Sequence, residues 1–247
     1  MSKLELIKEN ERLDDLEYNG LKLIQNPNWY CFSSDAVLLA NFVKAKSQDI
    51  VVEFGLGNGV ISILIAGKTN AKKIIGFEIQ PNTADLANRN IIFNNLQDRI
   101  EVLNNDFKEA SSILGKETVN IVVANPPYFR ADSGMKSEFE ERAISRQETT
   151  CTLEEMIKNA SEILKYSGKM YMIHKTERMA EVIASMVNNK LEPKKITLIY
   201  PKQNKKADTF IIEAQKMGKP GLIINSLIVY EKNGTMTTEA KKLYGKA

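Results

Sequence analysis

The sequence has only two cysteines, Cys31 and Cys151, and a single histidine, His174. Two isolated thiols cannot build a disulfide framework or a zinc cluster, so both are expected to be reduced and buried. No convincing cluster of metal ligands appears elsewhere, and His174, at the end of an apolar run, is expected to be packed and hydrogen-bonded. No uninterrupted apolar stretch approaches the ~20 residues that span a bilayer. The amino terminus, Met1-Ser2-Lys3-Leu4-Glu5-Leu6, lacks the apolar core of a signal peptide. The expectation is a cytoplasmic protein with no membrane partner. A bias of charge is also missing: 34 basic and 31 acidic side chains leave a net +3. That neither demands nor excludes nucleic acid, whose contact would need a local patch. There is no internal repeat and no low-complexity segment.

What is present is an ordinary globular composition over 247 residues, 43% apolar and 26% charged. From Ile50 onward short β-rich runs alternate with helical stretches, the signature of a parallel sheet with crossover helices. The expected strands are Ile50–Phe54, Lys73–Ile79, Ile100–Asn104, Val119–Ala124, Lys169–His174, Lys194–Tyr200 and Thr209–Gln215, with Leu222–Tyr230 as one more. Helices are expected over Val60–Lys68, Asn82–Asn95, Leu153–Tyr166 and Glu177–Asn189, with Pro81 opening a first turn and Gly168 closing a last one. Met179, Val182, Ile183, Met186 and Val187 recur at helical spacing as core filler. Ahead of this series, Asn19-Gly20 between Asp15–Tyr18 and Leu21–Ile24 signals a hairpin, followed by a short helix at Asp35–Val43. Residues 1–45 therefore read as an extension packed on a domain spanning 46–232, with 233–247 a frayed tail.

Three motifs fall at strand ends. Asn125-Pro126-Pro127-Tyr128 closes the apolar run Val119–Ala124 with two residues that cannot donate to a ladder. It makes a rigid, acceptor-rich corner at the edge where open α/β sheets bind ligands, suited to gripping a planar amine. Glu53-Phe54-Gly55-Leu56-Gly57-Asn58-Gly59 follows the first strand of the series, and its glycines let backbone approach a polar cofactor. Val60 stands where the dinucleotide fingerprint needs glycine, which disfavours NAD. Glu78 ends the second strand, where a carboxylate can accept from both ribose hydroxyls, and Asp106 follows the third, placed to accept from an adenine amine. Together they line one sheet edge as a pocket for an adenosine-containing cofactor.

This set resembles the class I S-adenosylmethionine-dependent methyltransferases, in particular the amino-group methyltransferases with Asn-Pro-Pro-Tyr. Within them it is similar to the bacterial tRNA(Val) adenine-N6 methyltransferases. Phe32–Ala40, Arg146, Glu148, Cys151–Glu154 and the end segment from Ala207-Asp208-Thr209 through Pro220-Gly221-Leu222 carry that closer likeness. Glu53 replaces the more usual aspartate, and Leu56-Gly57-Asn58 a Thr-Gly-Ser-like run. The resemblance implies a Rossmann-like fold, a mostly parallel doubly wound sheet with its last strand antiparallel, and S-adenosyl-L-methionine as cofactor. It makes Glu53, Gly55 and Gly57 the cradle of the methionine moiety, with Glu78 at the ribose and Asp106 and Phe107 at the adenine. Phe32, Ser34 and Asp35 close over the cofactor, and Asn125 borders it. Asn125, Pro126, Pro127 and Tyr128 are the catalytic residues. The implied partner is tRNA, through an anticodon-loop adenine; no obligate protein partner is evident.

Other acceptors fit the same tetrapeptide, namely guanine-N2 in rRNA and glutamine-N5 in release factors. A cofactor-binding RNA assembly factor is the non-enzymatic alternative, and an NAD-dependent dehydrogenase comes last. Lys202, Lys205 and Lys206, Arg142 and Arg146, and Lys194, Lys195, Lys241, Lys242 and Lys246 are candidates for RNA contact. Phe129–Thr150, long and polar, reads as a mobile substrate loop, although Glu138–Glu141 argues against a uniformly cationic face.

Overall fold

The computed structural model describes residues 3–29, 31–126 and 152–245. A hairpin of β1 (Arg12–Asp15) and β2 (Lys22–Gln25) precedes helix α1 (Ser34–Phe42). Then β3 (Ile50–Phe54), α2 (Val60–Lys68), β4 (Lys73–Phe77), α3 (Pro81–Phe93), β5 (Ile100–Leu103), the short α4 (Ala110–Leu114) and β6 (Val119–Ala124) alternate. The carboxyl-terminal half adds α5 (Leu153–Ile163), β7 (Leu164–Lys175), α6 (Met179–Asn188), β8 (Leu191–Lys202), β9 (Thr209–Lys216), β10 (Ile223–Tyr230) and α7 (Thr238–Leu243).

Strands β3 to β10 form one sheet in the order β10-β8-β9-β7-β6-β3-β4-β5. Every pair is parallel except those of β9, which runs antiparallel to both β7 and β8. The architecture is Rossmann-like. Its antiparallel member is β9, the last of the expected strand series ahead of the additional β10, because residues 203–208 are too short for the crossover that a parallel β8–β9 pair would require. β10 comes later and joins the far side of β8 in parallel. From β3 the chain first builds outward through β4 and β5, then returns to place β6 on the other side of β3. That reversal opens the crevice at the carboxyl ends of β3 and β6.

The central strands are buried on both faces, so their residues alternate between two cores. Val51, Ile121 and Val123 pack with α1 and α2 residues such as Leu39 and Ile63, while Val52, Val122 and Ala124 pack with Ile157 and Ala160 of α5 and Met186 of α6. Met186 is fully buried and Val187 half exposed, as one face of an amphipathic helix requires. Helix α5 opens on a capping box between Thr152 and Glu155.

Several expected boundaries move. Glu17 takes a left-handed conformation (φ 53°), which interrupts the ladder. The hairpin therefore pairs Arg12–Asp15 with Lys22–Gln25, while Asn19-Gly20 still makes the reversal. Helix α5 stops at Ile163, and Gly168 lies inside β7, beside a register shift and the left-handed Ser167. β4 and β5 end at Phe77 and Leu103, leaving Glu78 and Asn104 just beyond them. Residues 233–245 of the tail are not frayed. Tyr230 bridges Met236, the Thr237 N–H and hydroxyl donate to the Val229 and Ile228 carbonyls, and Ala240 of α7 is buried. Cys31 is half-buried rather than buried, and Cys151 lies outside the described residues.

The amino-terminal segment is tied to α3 by side chains. Asn90 accepts from the Ile24 N–H (2.6 Å) and donates to the Ile24 carbonyl (3.0 Å). Asn94, one turn on, does the same for Lys22 at 2.9 and 2.7 Å. Four helical residues rise ~6 Å and two strand residues ~6.6 Å, so the two amides keep step with alternate residues of β2. Arg89 of α3 adds a two-pronged contact to Glu11 (2.6 and 2.7 Å) and a bond to the Leu6 carbonyl.

Candidate active site

The glycine loop is bent by three left-handed residues, Gly55, Gly57 and Gly59. The Gly55 and Leu56 N–H groups both donate to the Phe77 carbonyl, which pins the loop to the end of β4. A methyl group added at Gly55 or Gly57 would meet no heavy atom within 4 Å. The loop therefore fronts open space, and glycine is required there by the backbone conformation.

Glu78 stands across this opening. Its Oε2 accepts from the Gly57 N–H and its Oε1 from the Gln80 N–H, each at 2.9 Å. A carboxylate has about four lone-pair positions, so with the Ile79 N–H also directed at it Glu78 can still take a hydroxyl donor. Burial pushes its pKa up, against the pull of those N–H donors. Glu53, only 1% exposed, receives the Ser62 hydroxyl at 2.5 Å. Burial, reinforced by the like charge of Glu78, lifts its pKa to about 8. Asp106 caps the turn after β5 by accepting from the Lys108 N–H at 3.0 Å. Phe107 lies stacked on Phe54, with centroids 4.8 Å apart, and the Asn104 amide donates to the Glu78 carbonyl. Glu53, Gly55, Gly57, Glu78, Asp106 and Phe107 thus meet along the ends of β3, β4 and β5.

Asn125 belongs to the same crevice by register. Phe54 of β3 pairs with Ala124 of β6, so Gly55 and Asn125 leave neighbouring strands side by side. Pro126 is buried next to it, and Pro127 and Tyr128 lie outside the described residues. So do Arg142, Arg146 and the whole of the expected substrate loop.

Phe32 reaches the glycine loop through Gln25, a residue the sequence did not single out. The Gln25 Oε1 accepts from the Phe32 N–H at 3.1 Å and from the Asn58 amide at 3.5 Å, and its own amide donates to Asp14. Asn90 completes the contact by donating to the Asn58 carbonyl at 3.0 Å. Both side chains are buried, at 2% and 0% exposure, which distinguishes them from surface amides. Ser34 and Asp35 go elsewhere. With Phe32 they line a cavity of about 620 Å³ at the ends of β7, β8 and β10, whose wall does not include the glycine loop. His174 is fully buried at the end of β7, where its Nδ1 accepts from the Lys175 N–H; burial lowers its pKa to about 4, so the ring is neutral and packed. Among the described residues no group of His, Cys, Asp and Glu is arranged to hold a metal, and no helix is long and apolar enough to cross a membrane.

The methyltransferase small domain family matches residues 32–196, from the segment before α1 into β8. The chain is 28% identical to a tRNA1(Val) (adenine(37)-N6)-methyltransferase of Porphyromonas gingivalis, over 60% of each protein. It is 39% identical to a putative protein N5-glutamine methyltransferase of Methanocaldococcus jannaschii, over 46% of this chain and 54% of that one. The match thus spans about 60% or less of the length of these two curated relatives. A predicted O-methyltransferase of Agrobacterium tumefaciens superposes with a TM-score of 0.70 at 24% identity, covering 86% of this chain and 97% of that one. A geranyl diphosphate C-methyltransferase of Streptomyces coelicolor, solved with S-adenosyl-L-homocysteine, does so at 0.55 and 14% identity, covering 74% and 76%. The glycine cradle, with room for a ligand and a ribose-competent carboxylate opposite, fits the cofactor such proteins carry. This chain belongs to the methyltransferase small domain family.

Proposed function

We propose that the protein methylates the exocyclic N6 amine of an adenine beside the anticodon of a tRNA. The observation that carries this reading is the juxtaposition of Asn125 with the glycine loop on adjacent strands. It sets an amide acceptor at the mouth of the cofactor crevice. The relatives named as tRNA adenine-N6 methyltransferases supply the substrate class.

S-adenosyl-L-methionine supplies an activated methyl group on a sulfonium centre. Glu78 holds the ribose with the acceptor capacity left over from Gly57, Gln80 and Ile79. Glu53, as a carboxylate, holds the cationic methionine end. Asp106 takes the adenine amine and Phe107 packs beside the ring. An aromatic amine is a weak nucleophile because its lone pair is delocalised. The Asn125 side-chain oxygen and the Pro126 carbonyl accept its two hydrogens and draw the nitrogen toward a tetrahedral geometry. The same dipoles stabilise the positive charge that develops on nitrogen, and they do so without reorganising. Pro127 stiffens the corner. Tyr128 offers a face for the target base, a stacking contact worth ~1–3 kcal/mol. An unpaired loop base enters at lower cost than one extruded from a duplex.

A second reading keeps the chemistry and changes the acceptor. The likeness to a putative protein N5-glutamine methyltransferase favours a protein amide, which is also a planar NH₂ group. Incubation with labelled methyl donor and, separately, total tRNA, rRNA and a release factor distinguishes the two. Label recovered as N6-methyladenosine from tRNA is the expected result; label in protein alone would overturn it.

A further inference from the structure

The cavity that takes up Ser34 and Asp35 is left without a role by the chemistry above. It lies at the carboxyl ends of β7, β8 and β10, closed on one side by the amino-terminal hairpin and on the other by the residues around α7. β7 is the direct neighbour of β6, with Met172 opposite Ala124, so Asn125 is level with Ile173 and Lys175 stands at the same sheet edge, one strand over and two residues (~6.6 Å) further along.

The lining excludes some ligands and suits others. Asp15, Glu17, Asp35 and Asp208 all line the cavity, with Lys175 as its one ammonium group, so a free phosphate would be repelled. Phe32, Tyr230 and Tyr244 give it aromatic walls, and the Ser34 hydroxyl hydrogen-bonds the Tyr244 phenol, which fixes that ring against the helix α1 entrance. The Lys175 Nζ lies 3.9 Å from the Asp208 Oδ2, which puts a donor and an acceptor side by side. The edge of guanine presents the complement: a carbonyl oxygen for the ammonium, next to two N–H groups for one carboxylate. A volume of about 620 Å³ is in the range of small-ligand sites and accommodates a nucleoside.

We propose that this cavity is a second nucleobase site, which holds an unmethylated guanine of the RNA substrate while the neighbouring adenine occupies the Asn125 corner. The inference rests on the RNA-methylation reading. It assigns to Asp208 and Lys175 the selection of the base and to Phe32 and Tyr230 its stacking. Asp208 is half exposed, and its replacement removes no core contact.

The test uses full-length protein saturated with S-adenosyl-L-homocysteine, so that nucleosides cannot enter the cofactor crevice. Methyl resonances of Ile199, Val229 and Met236, which line the cavity, report occupancy. Guanosine is titrated against inosine, which lacks the 2-amino group, and against adenosine, cytidine, uridine and free arginine. Guanosine is expected to bind at least about fivefold more tightly than inosine. Asp208→Asn should bring the two within about twofold. Equal binding of all nucleosides, no shift with any of them, or saturation by arginine in preference to guanosine would overturn the assignment. Methyl transfer to tRNA is scored separately. Transfer without guanosine binding refutes the second site alone, whereas guanosine binding without transfer refutes the adenine-methylation reading and leaves the cavity assigned.

Discussion

Replacing Glu53 by Gln isolates the one carboxyl group whose protonation the fold controls most directly. The amide keeps the contact with Ser62 but cannot ionise. In the folded protein burial holds the Glu53 pKa near 8, against an ordinary value of 4.5. Between those two values the folded chain keeps a proton that the unfolded chain has released. Stability must therefore fall as pH rises through the window and level off above the folded value. At about 1.4 kcal/mol for each unit, the whole window is worth roughly 4–5 kcal/mol. His174 titrates in the opposite sense: its burial costs stability as pH drops below the ordinary histidine value toward about 4. The cleanest range is thus pH 6.5 to 8, and comparison with the variant removes the parallel contribution of Glu78. Urea unfolding at half-unit steps should give a wild-type curve that declines by up to about 1.4 kcal/mol per unit relative to Glu53→Gln. Cofactor binding supplies the mirror image. A cationic methionine end favours the carboxylate, so affinity for S-adenosyl-L-homocysteine should climb with pH in the wild type, by up to about tenfold per unit, and stay level in the variant. Parallel stability curves for the two proteins would refute the buried, protonated Glu53. A declining stability curve with level affinities would remove Glu53 from the cofactor's surroundings.

Asn125→Ala should lower kcat by about a hundredfold or more while the calorimetric affinity for S-adenosyl-L-homocysteine changes by less than twofold; near-wild-type turnover would remove Asn125 from the mechanism. Gln25→Glu places a second carboxylate against Asp14 and should weaken S-adenosyl-L-homocysteine binding about tenfold. Adding Asp14→Asn restores a donor opposite the new acceptor and should recover most of the loss; additive losses in a double-mutant cycle would show that the bridge to Phe32 and Asn58 does not matter. Arg89→Ala leaves the Glu11 carboxylate, whose side chain is 2% exposed, with the Lys8 N–H and no guanidinium, and should cost about 3–5 kcal/mol in urea unfolding. A loss below about 1 kcal/mol would mean that the pair behaves as a surface ion pair.

Much of this arrangement was legible because its signals are local. β3, α2 and β6 fall at the expected residues because apolar runs bounded by Glu53-Phe54-Gly55 and Asn125-Pro126 leave no competing reading. The orientation of β9 was implied by the resemblance and not by its own pattern, since the period of a strand is the same in either direction and only the short link from β8 decides it. Helix α7 was missed because Thr238–Leu243 carries too few apolar positions to show a period, and it is held by contacts with β10 instead. Gln25 and Asn90 escaped notice for a related reason. An amide in a sequence reads as a surface residue, and only the folded chain brings both to Asn58 from opposite sides. Ser34 and Asp35 were expected at the cofactor from the resemblance, yet they line the separate cavity.

The pairing of Asn90 and Asn94 with β2 has a further consequence for how the hairpin finds its place. A strand that docks on another strand can slide by two residues and still satisfy its backbone, whereas two amides one helical turn apart accept a single alignment. Slippage would leave four main-chain groups of Lys22 and Ile24 without partners and would carry Gln25 away from the glycine loop. Helix α3 thus works as a two-toothed gauge: the amino-terminal segment is measured against it, and the entrance to the crevice takes its shape from that measurement.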